Sequence, residues 1–237
     1  MSRPRSKRPQ IYDKIIDAAE RLFSMYGIEG VSLRQIAAEA GSANNYVVQY
    51  HFGDKKNLIR AIFERRLPEL ELHRAKLLAQ AKRDGLLQDP RALVNVILRP
   101  LAELRDEKGR RRYASFLLSL VQFEGSFSIR TDVSDLAPMT DHVRNLLRLE
   151  VRHLSVPIFD HRFSLISTLF LSKIAEIDRR EGSLGADAQD DAWISDTLDM
   201  AAAALLAPVA PEVLDALGGP RSEPNLPAGQ RRRLEAG

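Results

Sequence analysis

Nine side chains between residues 32 and 55 are suited to holding a polar partner rather than to making or breaking bonds: Ser32, Arg34, Asn44, Asn45, Tyr46, Gln49, Tyr50, His51 and Lys55. The amides of Asn44, Asn45 and Gln49 each set a donor beside an acceptor, the pattern that pairs with an adenine edge in a major groove. Arg34 carries a planar fork that fits a phosphate or a base edge. Two alternatives stay open on these residues alone. Asn44 suits the cap of a following helix as well as a groove contact, and Ser32 suits a helix cap as well as a phosphate.

Bond-making chemistry has little material. The chain has no cysteine, which removes disulfides, thiolate nucleophiles, iron-sulfur clusters and cysteine-based zinc sites together. Glu150-Val151-Arg152-His153 has the Glu-x-x-His form of di-iron helical bundles, but such sites use two copies with further glutamates and this is a single copy. No paired carboxylates, no nucleophile with its base and no phosphate loop are legible. The expectation is a non-enzyme with no catalytic residue, no metal and no cofactor. Arg144, Arg148 and Arg152 recur every four residues, a spacing that favours a solvated helix face over an anion site.

The elements that position the polar cluster are helices. Ile11, Ile15, Ala18, Leu22 and Tyr26 recur at helical spacing and Gly27 follows them, predicting a first helix over Gln10 to Tyr26. Ser32-Leu33-Arg34-Gln35 has the capping-box form and opens a short second helix that ends at Gly41. Asn44 to His51 predicts a third helix with Val47 and Val48 inward and a polar face outward. Gly53-Asp54 then starts a long fourth helix running towards Gln80, with a kink or break expected at Pro68. Further helices are predicted over Arg91 to Leu104, Arg111 to Phe123, Asp135 to Arg152, Pro157 to Arg180 and Asp190 to Leu206, with Gly182 to Gln189 as a loop. No alternating strand pattern appears, so the fold class is all-α.

The 237 residues are 44% hydrophobic and 28% charged, a balance able to bury a sizeable core. Charge is uneven. Residues 1–66 hold twelve Lys or Arg against seven Asp or Glu, while the remainder is slightly acidic. A basic excess at one end points to a polyanion such as nucleic acid or an anionic membrane, although a short basic tail alone is commonly just a solvated end. No apolar run approaches the ~20 residues of a membrane span and no signal-like h-region is present, so a cytoplasmic protein with no membrane partner is expected.

The letters of the first unit are more specific than its pattern. Ile15-Ile16-Asp17-Ala18-Ala19-Glu20-Arg21-Leu22-Phe23, Tyr26-Gly27, Ser32-Leu33-Arg34-Gln35-Ile36-Ala37, Ala40-Gly41 and Tyr50-His51-Phe52-Gly53-Asp54-Lys55 closely resemble the N-terminal domain of the tetracycline-repressor (TetR) family of bacterial regulators. The resemblance covers roughly residues 10 to 63. It implies an N-terminal three-helix, helix-turn-helix DNA-binding domain joined by the fourth helix to a C-terminal helical ligand-binding and dimerisation domain. Its function would be that of a one-component transcriptional regulator, a homodimeric repressor on a palindromic operator of double-stranded DNA, released by a small-molecule effector. The alternative is a helical-bundle enzyme that kept the fold. The implied division is 1–9 basic disordered tail, 10–63 DNA-binding domain, 64–217 effector-binding and dimerisation domain, and 218–237 disordered tail.

By the same resemblance Lys55 is the phosphate-contacting lysine at the start of the fourth helix, and Tyr50 a phosphate donor. His51 either joins that contact or packs between helices. One departure matters: the chain carries an extra residue between Gly41 and Phe52 relative to the commonest spelling, so base contacts can shift by one position.

Overall fold

The apolar stripe of the first helix, α1 (Gln10–Tyr26), turns Ile15, Ile16, Ala18, Ala19 and Phe23 inward. The helix ends where Gly27 takes a positive φ of 75°, a conformation costly for any residue with a Cβ. In the computed structural model, which describes residues 10–121, 123, 133–180 and 186–217, every regular element among the described residues is helical. After α1 come α2 (Leu33–Glu39), α3 (Val47–Phe52), α4 (Lys55–Arg83), α5 (Pro90–Glu103) and α6 (Arg112–Val121). A single 3-10 turn (Ser134–Leu136) then precedes α7 (Pro138–Glu150), α8 (Val156–Arg179), α9 (Ala186–Leu206) and α10 (Pro211–Leu217).

Four expectations are corrected. The third helix begins at Val47, not at Asn44, because the preceding side chains bond the local backbone instead. The helix expected from Asp135 is split, since Pro138 lacks an amide hydrogen and starts a new helix after the 3-10 turn. The last long helix starts at Ala186, inside the expected loop. Finally, of the kink or break expected at Pro68, the break is absent: α4 runs from Lys55 to Arg83. The expected tails at 1–9 and 218–237 lie outside the described residues.

The continuity of α4 has a visible cause on either side of Pro68. Arg60 pairs with Asp135 at 3.3 Å, about two turns before the proline. Just after it, the Glu71 carboxylate accepts from the amides of Met139 (2.5 Å) and Thr140 (3.3 Å) and from the Thr140 hydroxyl (2.7 Å). Glu71 therefore caps α7 from another helix, placing an anion where unpaired amides and the helix dipole favour one. A mirror arrangement closes α9, where the Arg162 guanidinium donates to the carbonyls of Ala204, Leu205, Ala207 and Pro208 at the helix C-terminal end.

One hydrophobic core runs through the first helices and the rest of the described chain. Phe23 of α1 stacks on Phe116 of α6 with ring centroids 6.3 Å apart, and Phe116 lies 5.9 Å from Phe63 of α4. Beside these rings α1 and α4 are tied by an ion pair. Arg66 donates to both oxygens of Glu20, Nε at 2.8 Å and Nη2 at 2.9 Å, and Glu20 is 1% exposed. Burial works against the Arg66 cation, yet the hydrogen bonds and charge of Glu20 outweigh it and hold the guanidinium pKa above its ordinary value. Arg65 adds an exposed contact to Asp17 at 3.0 Å.

Breaking a buried pair on one side strands the other charge. Arg66→Ala should cost about 3–5 kcal/mol of folding stability in urea unfolding, whereas Glu20→Leu with Arg66→Met should recover most of that loss. A single variant as stable as the parent chain would show the pair to be dispensable.

Candidate nucleic-acid interface

The site begins with the cap of α2. Ser32 has extended backbone, and its hydroxyl accepts from the Gln35 amide at 3.2 Å while Gln35 Oε1 accepts from the Ser32 amide at 2.8 Å. This is the capping box read from the sequence, and it fills Ser32 with an intramolecular role. Ile36 and Ala37 face the core, which leaves Arg34 exposed on the other side of the helix.

The turn to α3 is built with equal economy. Gly41, at φ 76°, donates to Ala38, and the Ser42 amide reaches Ala37 at 3.0 Å, so α2 ends in a Schellman motif. The Ser42 hydroxyl then accepts from the Asn44 amide at 3.1 Å, and Asn44 Oδ1 accepts from the Tyr46 amide at 2.9 Å. Asn44 thus forms an Asx turn that delivers the chain into α3, and its side-chain oxygen already holds a backbone donor. Asn45 is exposed beside it.

Six residues make α3. Val47, Val48 and Phe52 are buried, and Gln49 and Tyr50 point outward with Tyr46, the residue at the helix cap. Tyr46 is 74% exposed and Tyr50 83%, an unusual cost for two large rings one turn apart unless a partner covers them. His51 is half-buried, its ring edge-on to Tyr50 at 5.1 Å and to Tyr12 at 6.0 Å.

Tyr12 went unread in the sequence because it lies beside, not on, the apolar stripe of α1. Its ring packs against Phe52 at 4.6 Å, so it holds the end of α3 against the start of α1. Lys55 is drawn inward. Its Nζ donates to the Ile28 carbonyl at 2.8 Å, which ties the α1–α2 connection to the start of α4. Burial lowers the Lys55 pKa, with Glu29 acting in the opposite direction.

Elsewhere the residues singled out by type have structural partners. Arg144 lies over the Phe159 and Phe163 rings and pairs with Asp160 at 2.8 Å, and Arg148 lies over Phe159. Glu150 is the last residue of α7, so His153 falls beyond the helix. Among the described residues no group of three or more His, Asp or Glu is arranged to hold a metal ion.

Known proteins share sequence or fold with this chain. Residues 15–62 match the family described as bacterial regulatory proteins, tetR family. The HTH-type transcriptional regulator AcrR of Shigella flexneri is 26% identical over 167 residues, covering 68% of this chain and 75% of that protein. Among solved structures, a TetR-family transcriptional regulator from Mesorhizobium loti aligns with a TM-score of 0.45 at 15% identity, over 84% of this chain and 98% of its own. A HlyIIR mutant protein aligns with a TM-score of 0.49 at 15% identity, over 86% and 100%. RolR, solved with resorcinol, aligns with a TM-score of 0.40 at 18% identity, over 85% and 95%.

Because the Ser32 hydroxyl holds an amide of α2, Ser32→Ala should cost about 1 kcal/mol in thermal or urea unfolding, and Ser32→Thr or Ser32→Asp should restore most of it. Loss in all three variants alike would assign the hydroxyl to something other than the cap.

Proposed function

Since the chain belongs to the tetR family of bacterial regulatory proteins and is a transcriptional regulator, we propose that it is a homodimeric repressor. It docks α3 in the major groove of a palindromic operator and leaves when a small molecule fills its larger helical unit. The observation that carries the DNA reading is the division of α3 and its entry turn into two faces. Val47, Val48 and Phe52 are buried, while Asn45, Tyr46, Gln49 and Tyr50 face outward. In this reading Gln49 and Asn45 pair with base edges and Tyr46 packs on a base. Arg34, Tyr50 and the Ser32 end of α2 meet phosphates, and His51 supports Tyr50. Asn44 positions Tyr46 through the turn, and Lys55 sets the start of α4 while offering its remaining donors to a phosphate. Residues 10–63 form the DNA-binding unit and 64–217 the effector and dimer unit.

The dimer reading rests on the outer faces of α8 and α9. Leu165 and Leu169 on α8, and Trp193 and Met200 on α9, are exposed large apolar side chains on two neighbouring helices. Phe170 and Leu198, by contrast, are 0% and 3% exposed and belong to the core of one protomer. Two such helix pairs meeting across a two-fold axis would bury both faces as a four-helix bundle.

The effector reading draws support from the Tyr113 hydroxyl, which is buried and has no hydrogen-bond partner among the described residues. Burial raises its pKa, with the Arg74 cation acting the other way, so it stays a neutral donor. Any effector that releases DNA must bind the DNA-free state better than the bound one. No single described helix is long and apolar enough to cross a membrane.

Selection of duplexes from a random library tests the recognition surface. The parent chain should enrich a palindrome. Gln49→Ala and Tyr46→Ala should each lose about 1–3 kcal/mol of discrimination at one or two base pairs, with binding to random DNA little changed. Equal losses on selected and random duplexes would remove these residues from base readout. For assembly, Leu169→Asp should convert a dimer into a folded monomer at micromolar concentration in sedimentation, and a monomeric parent chain would contradict the bundle.

A further inference from the structure

Little within α3 holds its orientation. The helix is six residues long, well short of the ~12 at which an isolated helix becomes even marginal in water, and no side-chain hydrogen bond caps it at Tyr46. Its tilt and its roll about its own axis therefore come from packing. Val47, Val48 and Phe52 set the inward side.

One ring from another helix touches two successive residues at the far end of α3. Tyr12, half-buried in the first turn of α1, lies 4.6 Å from the Phe52 ring at 30° and 6.0 Å from the His51 ring at 89°. Successive residues of a helix point ~100° apart, so a ring in contact with both resists rolling of α3 in either direction.

The contacts continue outward. His51 stands at 78° to the Tyr50 ring, 5.1 Å away, and among the described residues it is the one ring beside Tyr50. Tyr12, His51 and Tyr50 thus form a file of near-perpendicular rings from α1 to the exposed face of α3, an arrangement that aromatic pairs favour. An exposed phenol without such a neighbour loses rotamer freedom on meeting a partner, whereas one held beforehand has less to lose.

We propose that Tyr12 is a positioning residue for DNA binding: it fixes His51, His51 fixes Tyr50, and the Tyr50 hydroxyl is aimed before it meets a phosphate. Tyr12 acts through His51 and not by touching DNA. The proposal rests on the phosphate reading of Tyr50 given above and adds the residue behind it.

The test is a double-mutant cycle in the full-length protein, on a duplex selected by the parent chain and on a random duplex of equal length. Tyr50→Phe removes the hydroxyl and should weaken both duplexes alike, since a phosphate contact carries no sequence information. Tyr12→Leu keeps an apolar filler against Phe52 and removes the ring. It should weaken both duplexes roughly 2- to 10-fold per bound protomer, the cost of ordering one side chain on binding. In the Tyr50→Phe background the same Tyr12→Leu change should cost nothing further, because no hydroxyl is left to aim. Tyr12→Phe, which keeps the ring, should bind as the parent does.

A loss from Tyr12→Leu that is equal with and without the Tyr50 hydroxyl is what a merely structural ring gives, and it overturns the proposal alone. So does a Tyr12→Phe variant as weak as Tyr12→Leu. Unchanged binding by Tyr50→Phe overturns the phosphate reading of Tyr50 and the proposal with it. Should Tyr12→Leu lose its helical circular dichroism, His51→Leu breaks the file one ring later, and its cycle with Tyr50→Phe is decided by the same criteria.

Discussion

The buried pair of Glu20 and Arg66 is the constraint on which the placement of the DNA-binding unit depends. A carboxylate that is 1% exposed is tolerated only while both its oxygens are filled, and Arg66 fills both from the helix that leaves the unit. The geometry of that fork leaves α1 little freedom to roll or slide on α4. The Phe23, Phe63 and Phe116 rings then close the same junction with apolar contact. Hydrophobic burial supplies the drive to associate, and the ion pair chooses one arrangement among those that would bury similar area.

Much of the helical plan is legible in the sequence because it is written in local chemistry. Ile15, Phe23 and their neighbours carry the 3.6-residue period of α1, and Ser32 with Gln35 spells the capping box that the structure forms. What escapes is long-range or competitive. The start of α3 moves to Val47 because Asn44 and Ser42 bond the backbone locally, a contest between cap, turn and helix that residue types alone leave undecided. Tyr12 and Lys55 acquire their roles from partners 27 or more residues away, Ile28 for the ammonium and Phe52 for the ring. Nothing in their own neighbourhoods announces this.

Electrostatics and packing divide the work of the first unit. At its junction with α4, cations serve to fasten helices: Arg65 and Arg66 hold α1, and Lys55 holds the connection after it. The exposed face of α3 and its entry turn offers amides and phenols, with Asn45, Tyr46, Gln49 and Tyr50 outward. Such a face is suited to discriminating among base edges, because neutral donors and acceptors lose little to salt and much to a mismatched partner.

Pro68 leaves the Glu64 carbonyl without its usual helical donor, so α4 is intrinsically softer there than elsewhere. Yet the seven residues from Ser134 to Thr140 touch α4 on both sides of that point, through Asp135 at Arg60 and through the start of α7 at Glu71. They act as a splint. Any stiffness these contacts add to α4 comes from a stretch of chain some seventy residues downstream. It is lent to α4 from outside, and a rearrangement at the start of α7 would change it without altering a single residue of α4.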